Sequence, residues 1–330
     1  MQGFQTAGVT AGLGALALVL GVASLFLGYA PLSPAEVVSG LFGGGGTAAI
    51  VVQEIRLPRT ILALLIGAGL GMGGAALQGL MRNPLAEPGV IGISAAASLG
   101  AVAAMYYGLA ALWPWALPGL AMAFAGVATV VLVSVGARGG ILTLILCGVA
   151  VSSLCAALTS LALNLSPNAY AASEIVYWLL GSLKDRGMAE VAFAAPLTLA
   201  GMALVFSQRR ALDALSLGDE TAASLGVVLP RLTALIILGV AICVGASVAA
   251  AGAIGFVGLI VPHILRPFVG QQPSRLLLPS AFGGAVLLVA ADMAVRLIPA
   301  QSELMVGVMT AMIGAPFFFW LVVRNRSEWT

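Results

Sequence analysis

Leu-Thr-Ala-Leu-Ile-Ile-Leu-Gly-Val-Ala-Ile-Cys-Val-Gly-Ala-Ser-Val-Ala-Ala-Ala, residues Leu232 to Ala251, decides the class of fold. The run carries no charge, and its length matches the roughly 20 apolar residues a helix needs to cross about 30 Å of hydrocarbon. It lacks the alternation of apolar and polar positions that a membrane barrel strand requires, so it reads as a spanning helix. Composition extends that reading to the whole chain. Of 330 residues, 61% are hydrophobic and 8% charged, against about 25% charged in soluble domains. Fourteen basic and twelve acidic side chains cannot cover the surface of a soluble protein this size. A soluble fold is excluded.

Breaking the apolar runs at charges, prolines and glycine clusters predicts ten spans, roughly 11–30, 60–81, 91–109, 117–136, 141–163, 191–207, 232–250, 253–267, 277–298 and 304–323, the eighth being the shortest. The first is read as a retained helix rather than a secretion signal, because no Lys or Arg precedes Arg56 and the run is of full span length. Ten spans put both termini on one side. That side then gathers Arg82, Arg138, Arg209, Arg210, Arg231, Arg266, Arg275, Arg324 and Arg326, nine of the fourteen basic residues, leaving Arg56, Arg59, Lys184, Arg186 and Arg296 opposite. The excess marks the cytoplasmic face, with both termini on it.

Leu57-Pro58-Arg59 opens the second span and Leu229-Pro230-Arg231 the seventh. Five spans separate the two, so a duplicated unit must run in opposite directions, the inverted repeat frequent in transporters. The halves are roughly 11–163 and 191–323. Glycines 67, 69, 71, 73, 74 and 79 of the second span read as close-packing positions rather than chemistry.

Several chemistries are absent from the sequence. Lys184, the sole lysine, sits in Gly181-Ser182-Leu183-Lys184-Asp185, so there is no phosphate-cradling GxxxxGK[ST] loop, and neither HExxH nor GxSxG occurs. Cys147, Cys155 and Cys243 lie in apolar runs and read as packing residues. His263 reads as a packed or capping group. No metal or cofactor site is expected on this chain, and a net charge of +2 without a long basic run gives no reason to expect nucleic acid. A carrier driven by an ion gradient, the alternative reading, needs an ionisable group at depth. Its one serious candidate is Asp292, four residues from Arg296 and placed to pair with it. Energy is therefore expected from another chain.

Between the sixth and seventh spans, Leu217-Gly218-Asp219-Glu220-Thr221-Ala222-Ala223-Ser224-Leu225-Gly226 predicts a compact helix outside the membrane, with acids in its first turn and Gly226 to stop it. It is either an ordinary connection or a knob for a moving partner. These segments, together with Arg56-Leu57-Pro58-Arg59, Gln78-Gly79, Asn83-Pro84-Leu85-Ala86-Glu87-Pro88-Gly89, Gly255-Phe256-Val257-Gly258-Leu259-Ile260-Val261-Pro262-His263-Ile264-Leu265-Arg266 and Gly314-Ala315-Pro316, resemble the FecCD-type permeases, the membrane subunits of type II ABC importers for iron-siderophores, haem and cobalamin.

The resemblance implies a homodimer in the bacterial inner membrane, two cytoplasmic ATPases that carry ATP and Mg, and a periplasmic binding protein. Residues Gly218, Asp219, Glu220, Ala223, Ser224, Leu225 and Gly226 match the helix that couples to the ATPase. Arg56, Arg59 and Arg296 match arginines that meet acidic residues of the binding protein, by bonds that are directional and steer encounter; pairing with Glu54 and Asp292 is the local alternative. Asn83 and Leu85 match a cytoplasmic gate. Ile141 and Leu142 stand where one cobalamin importer pattern has small hydroxylated gate residues, implying a more apolar constriction. The fifth span matches the wall of the pathway, with Ser152, Ser153, Thr159, Ser160 and Asn164 as its polar positions.

Overall fold

The computed structural model describes residues 2–298 and 303–324, without the side chains of 2–4, 137–139, 322 and 324. Of the basic residues assigned to the cytoplasmic side, Arg326 and the side chains of Arg138 and Arg324 fall outside that description, as do the two ends of the chain.

Among the described residues every regular element is helical: α1 (Gln2–Phe26), α2 (Pro34–Leu41), α3 (Leu57–Leu80), α4 (Ile93–Tyr106), α5 (Ala116–Gly136), α6 (Gly140–Asn164), α7 (Ala169–Leu179), α8 (Met188–Ser207), α9 (Arg209–Leu215), α10 (Asp219–Ser224), α11 (Leu229–Ala251), α12 (Val257–Val269), α13 (Pro273–Leu297) and α14 (Val306–Arg324), with short turns at Gly46–Ile50 and Leu109–Leu112. Among the described residues seven helices are long and apolar enough to span a membrane, and three shorter apolar helices, α4, α12 and most of α14, make up the ten expected. The eighth, α12, has 13 residues.

Two expectations about boundaries change. Breaking the apolar run at the charges of Arg56 and Arg59 starts the second span at residue 60. The helix instead runs unbroken from Gly46 through a π-helical stretch at Val51–Arg56 into α3, since both arginines are buried and satisfied rather than solvated. Beside the expected helix at Asp219–Ser224, three further helices, α2, α7 and α9, form outside the spans. Ser33 caps α2 in a capping box, its hydroxyl accepting from the Glu36 N–H at 3.3 Å while Glu36 accepts from the Ser33 N–H at 2.7 Å. Asn168 caps α7 by accepting from the Ala171 N–H at 2.9 Å.

The two Leu-Pro-Arg starts lie at opposite ends of neighbouring helices. Gly69 faces Cys243 and Gly73 faces Val240, so α3 and α11 run antiparallel, with Pro58 and Pro230 each in the first helical turn. Each is followed by an interrupted helix. Before α4 the chain turns through Gly92 (φ 82°) and before α12 through Phe256 (φ 66°), both left-handed. Gly92 packs on Gly148 in the interior of α6, and Gly258 on Leu70 and Gly74 in the interior of α3, so both short helices begin against the middle of a neighbour. Irregular backbone at such depth is tolerated when protein encloses it.

Packing divides the molecule into two groups. In one, α3 lies on α13 with α1 and α12 alongside; in the other, α4 packs on the α5–α6 pair and α8 on α11. Glycines bring α3 and α13 into backbone contact: a Cβ at Gly67 would sit 2.3 Å from the Gly284 carbonyl oxygen, and one at Gly71 would sit 2.1 Å from that of Ser280. Lipid-embedded helices associate through such close packing. The two groups meet along a seam where α3 faces α8 and α11, near Gly69, Thr198 and Cys243.

Candidate functional site

At the end carrying Arg82 and Arg266, the predicted cytoplasmic end, α10 stands out as a knob. Gly218 (φ 107°) turns the chain into it and Gly226 (φ 85°) ends it, the Gly226 N–H donating to the Ala223 carbonyl at 2.9 Å. Such positive φ angles suit glycine because it has no Cβ to clash. Of α10 only Ala222 is buried; Asp219, Glu220, Ala223, Ser224 and Leu225 are exposed, and Leu217 and Leu225 leave apolar side chains on the surface.

The knob is tied to the chain's interior. Asp219 pairs with Arg82 at 2.7 Å across a half-exposed contact. Arg82 itself sits at φ 48° and leads into the loop whose Asn83 side chain accepts from the Leu85 N–H at 2.9 Å. An asparagine bonded in this way holds a tight turn, so Asn83 and Leu85 form one compact unit. Ile141 lines a cavity of about 470 Å³ with Arg82, Gly140, Asp219 and Leu229, while Leu142 points out of the chain, 69% exposed. The kink at Gly140 (φ 73°, ψ −176°) separates α5 from α6 at this level.

The loop continues to Glu87, whose carboxylate accepts from the Phe256 N–H at the left-handed start of α12. The breaks preceding the two interrupted helices are thereby bonded to each other. Burial pushes the Glu87 carboxyl above its ordinary range, opposed by that N–H. Arg266 donates to the Gln78 side-chain oxygen at 2.6 Å, joining α12 to α3, and His263 packs edge-on to Phe317 of α14.

Along α6 a stripe at helical spacing is exposed from end to end: Leu142, Leu146 and Val149, then Ser153, Ser160 and Asn164. Of the polar positions expected on the pathway, Ser153, Ser160 and Asn164 lie on that stripe. Ser152 and Thr159 are half-buried on another side, the Ser152 hydroxyl without a hydrogen-bond partner. The stripe passes from apolar near Gly140 to polar at the far end.

At the opposite end Arg56, Arg59 and Arg296 are turned into the chain. They are 3%, 6% and 7% exposed. Arg56 donates to the carbonyls of Leu25 (2.8 Å) and Ala30 (2.6 Å), not to Glu54. Arg59 grips Asp292, Nε to Oδ1 at 2.9 Å and Nη2 to Oδ1 at 2.8 Å, and also pairs with Glu303. Arg296 pairs with Asp292 at 2.6 Å, as its spacing suggested, and donates to the carbonyls of Ser24 (3.0 Å) and Leu27 (2.9 Å). A guanidinium leaves water only when carboxylates and carbonyls replace the lost hydration, and here the end of α1 and the residues after it, α13 and the approach to α14 supply them. Neither Glu303 nor the Arg59–Asp292 pair was signalled by the sequence, because the partners lie 244 and 233 residues apart.

The model of the FecCD transport family matches residues 16–324. The chain is 42% identical over 277 residues to the Fe(3+) dicitrate transport system permease protein FecD of Escherichia coli (strain K12), covering 84% of this chain and 86% of that one. To the vitamin B12 import system permease protein BtuC of Klebsiella pneumoniae it is 38% identical over 320 residues, 96% and 94% of the two chains, and to the hemin transport system permease protein HmuU of Yersinia pestis 37% over 286 residues, 83% and 84%. A solved structure described as an inward-facing conformation of a metal-chelate type ABC transporter superposes with a TM-score of 0.86 at 31% identity, over 96% of this chain and 99% of that one. The ten apolar helices, the antiparallel Leu-Pro-Arg starts and these matches agree: the chain is a multi-pass membrane permease and belongs to the FecCD transport family.

Proposed function

We propose that this permease is the translocating subunit of a binding-protein-dependent ABC importer for a metal chelate, with an iron-siderophore or haem preferred and cobalamin possible. Two copies enclose the pathway. Each contributes the α6 stripe, and each is built from the halves 11–163 and 191–323. The orientation has both termini in the cytoplasm of a bacterial inner membrane. Two ATPase subunits bind ATP and Mg and carry out the hydrolysis; this chain holds neither. A periplasmic binding protein delivers cargo at the Arg59 end.

The observation that carries the reading is the exposed knob Asp219–Ser224, ion-paired through Arg82 to the turn at Asn83 and Leu85. The pair keeps the knob in register with the gate, so that a partner on the knob is positioned to bias it. The gate is Asn83 and Leu85 with Ile141 and Leu142, and an apolar constriction leading to a Ser- and Asn-bearing wall suits a bulky chelate that must not bind tightly on its way. The gradient-driven alternative loses support from the surroundings of Asp292, its candidate coupling group, which is 0% exposed and held by two arginines.

Reconstitution tests the proposal. Proteoliposomes with the permease, its ATPase, ATP and iron-loaded binding protein should concentrate the chelate, and liposomes with the permease alone under a proton or sodium gradient should not. Concentrative uptake by the lone permease would overturn the reading.

A further inference from the structure

At the outer end two arginines and two carboxylates form one buried cluster. Asp292 belongs firmly to it: it sits inside α13 and accepts from Arg59 Nε, Arg59 Nη2 and Arg296 Nη2. Glu303 is held differently. It lies on non-helical backbone three residues before α14, and among the described residues its hydrogen bond and its ion pair are made with Arg59. Its side chain is 5% exposed and that of Arg59 8%, so the pair fills a site at the rim of the bundle from which water is nearly absent.

Two positive and two negative charges balance in the cluster. A third carboxylate brought onto Arg59 from outside would meet Asp292 and Glu303 at short range with little water to screen them, which is costly. It would also find Arg59 Nη2 already occupied. An incoming carboxylate can engage that nitrogen by replacing one already there, and Glu303, on irregular backbone and bonded among the described residues to one arginine where Asp292 is bonded to two, is the one that can leave.

We propose that Glu303 is an internal stand-in for a carboxylate of the binding protein, occupying Arg59 in the free permease and giving way on docking. This inference rests on the reading above that a binding protein docks at the Arg59 end. It reconciles buried arginines with a docking role, because the exchange preserves the charge balance while transferring Arg59 from an internal partner to an external one. Glu303 then sets how tightly the partner binds. It also gives docking a route inward. Three residues after Glu303 begins α14, where the Gly307 N–H donates to the Gly181 carbonyl at 3.1 Å, so releasing Glu303 loosens the entry to the last helix.

The test uses the assembled, nucleotide-free importer in nanodiscs. The probe is the purified binding protein that supports uptake with this permease and its ATPase, and the readout is its dissociation constant. Glu303→Gln keeps the side chain's size and an acceptor oxygen but replaces the ion pair with a weaker bond from the guanidinium to a neutral amide. It should tighten docking roughly tenfold. The double variant Arg59→Gln with Glu303→Gln removes one charge of each sign and should dock more weakly than the native protein. If the double variant docks weakly but Glu303→Gln docks no tighter than native, the exchange is wrong and the docking site stands. If the double variant docks as well as native, Arg59 is not the docking site and both fall.

Discussion

Alanine at Gly71 should separate α3 from α13 throughout their length. A Cβ there would lie 2.1 Å from the Ser280 carbonyl oxygen and 3.2 Å from the Gly284 Cα, both backbone atoms that no rotamer change can move. Ordinary contact begins at 3.4 Å, so the helices must part by about 1.3 Å. The same displacement would strip the Gly67–Gly284 contact a turn away. Overpacking of this kind costs typically 1–3 kcal/mol, and the rigid backbones on both sides place Gly71→Ala at about 3 kcal/mol.

Gly73, two residues on, is the control. Its Cβ would meet a Val240 methyl at 3.6 Å, a normal contact, and alanine should there gain about 0.5–1 kcal/mol through the lower entropy of its unfolded chain. Unfolding from mixed micelles by SDS titration, followed by tryptophan emission, measures both. The two variants differ from the native chain in opposite directions on this reasoning. Equal stability of Gly71→Ala and Gly73→Ala would refute it.

Asp292→Asn takes from Arg296 the carboxylate it pairs with and leaves Arg59 with Glu303, and should cost about 3–5 kcal/mol in the same titration; a loss under 1 kcal/mol would mean that water enters the cluster. Glu87 has a raised carboxyl pKa, so its folded form binds a proton more tightly than the unfolded chain does, and its contribution to stability is lost as pH rises from its ordinary 4.5 through the raised value. Glu87→Gln, which retains an acceptor for the Phe256 N–H, should flatten the pH dependence of the unfolding midpoint in that window, and an unchanged slope would count against it. Leu225→Asp, on the exposed side of the knob, should alter stability by less than about 0.5 kcal/mol while abolishing stimulation of the ATPase by loaded binding protein; full stimulation would remove Leu225 from the partner interface.

Legibility followed the range of the interactions. The ten apolar helices were readable because span length and hydrophobicity are local, and the break between 136 and 141 was readable because Gly140 interrupts an apolar run. The knob was legible from Gly218 and Gly226. The capping box of Ser33 and Glu36 was equally local and carried a usable signal for α2. The arginine cluster was illegible for a different reason: the distribution of basic residues assigns a side of the membrane but says nothing about depth, and whether an arginine faces water depends on carboxylates more than two hundred residues away. The α6 stripe was half legible. Its polar residues could be named, but only the packing of α5 and α4 decides that Ser153 faces out and Ser152 does not.

A push on the knob reaches the rest of the chain through few elements. The Arg82–Asp219 pair is half-exposed and contributes at most about 1 kcal/mol, so it guides rather than carries force. The stiffer route is α9. Its Leu212 is fully buried and faces Gly79 at the end of α3, and its Asp213 accepts from the Ser274 N–H (2.8 Å) and the Gln272 side chain (2.7 Å) at the start of α13. Both receiving helices are in backbone contact at Gly67 and Gly71 and are clamped again at their far ends by Arg59 and Asp292. They must therefore move as one body, and the displacement has to appear at the seam where α3 meets α8 and α11. Gly69 and Cys243 face each other there: a Cβ at residue 69 would lie 3.4 Å from that of Cys243, near the separation a disulfide accepts, with only the Thr198 methyl to shift aside. Oxidised Gly69→Cys, bridged to the native Cys243, should leave docking of the binding protein intact while stopping transport, and reduction should restore it. Transport at the native rate with the bridge formed would show that the seam stays closed during the cycle and that the motion runs elsewhere.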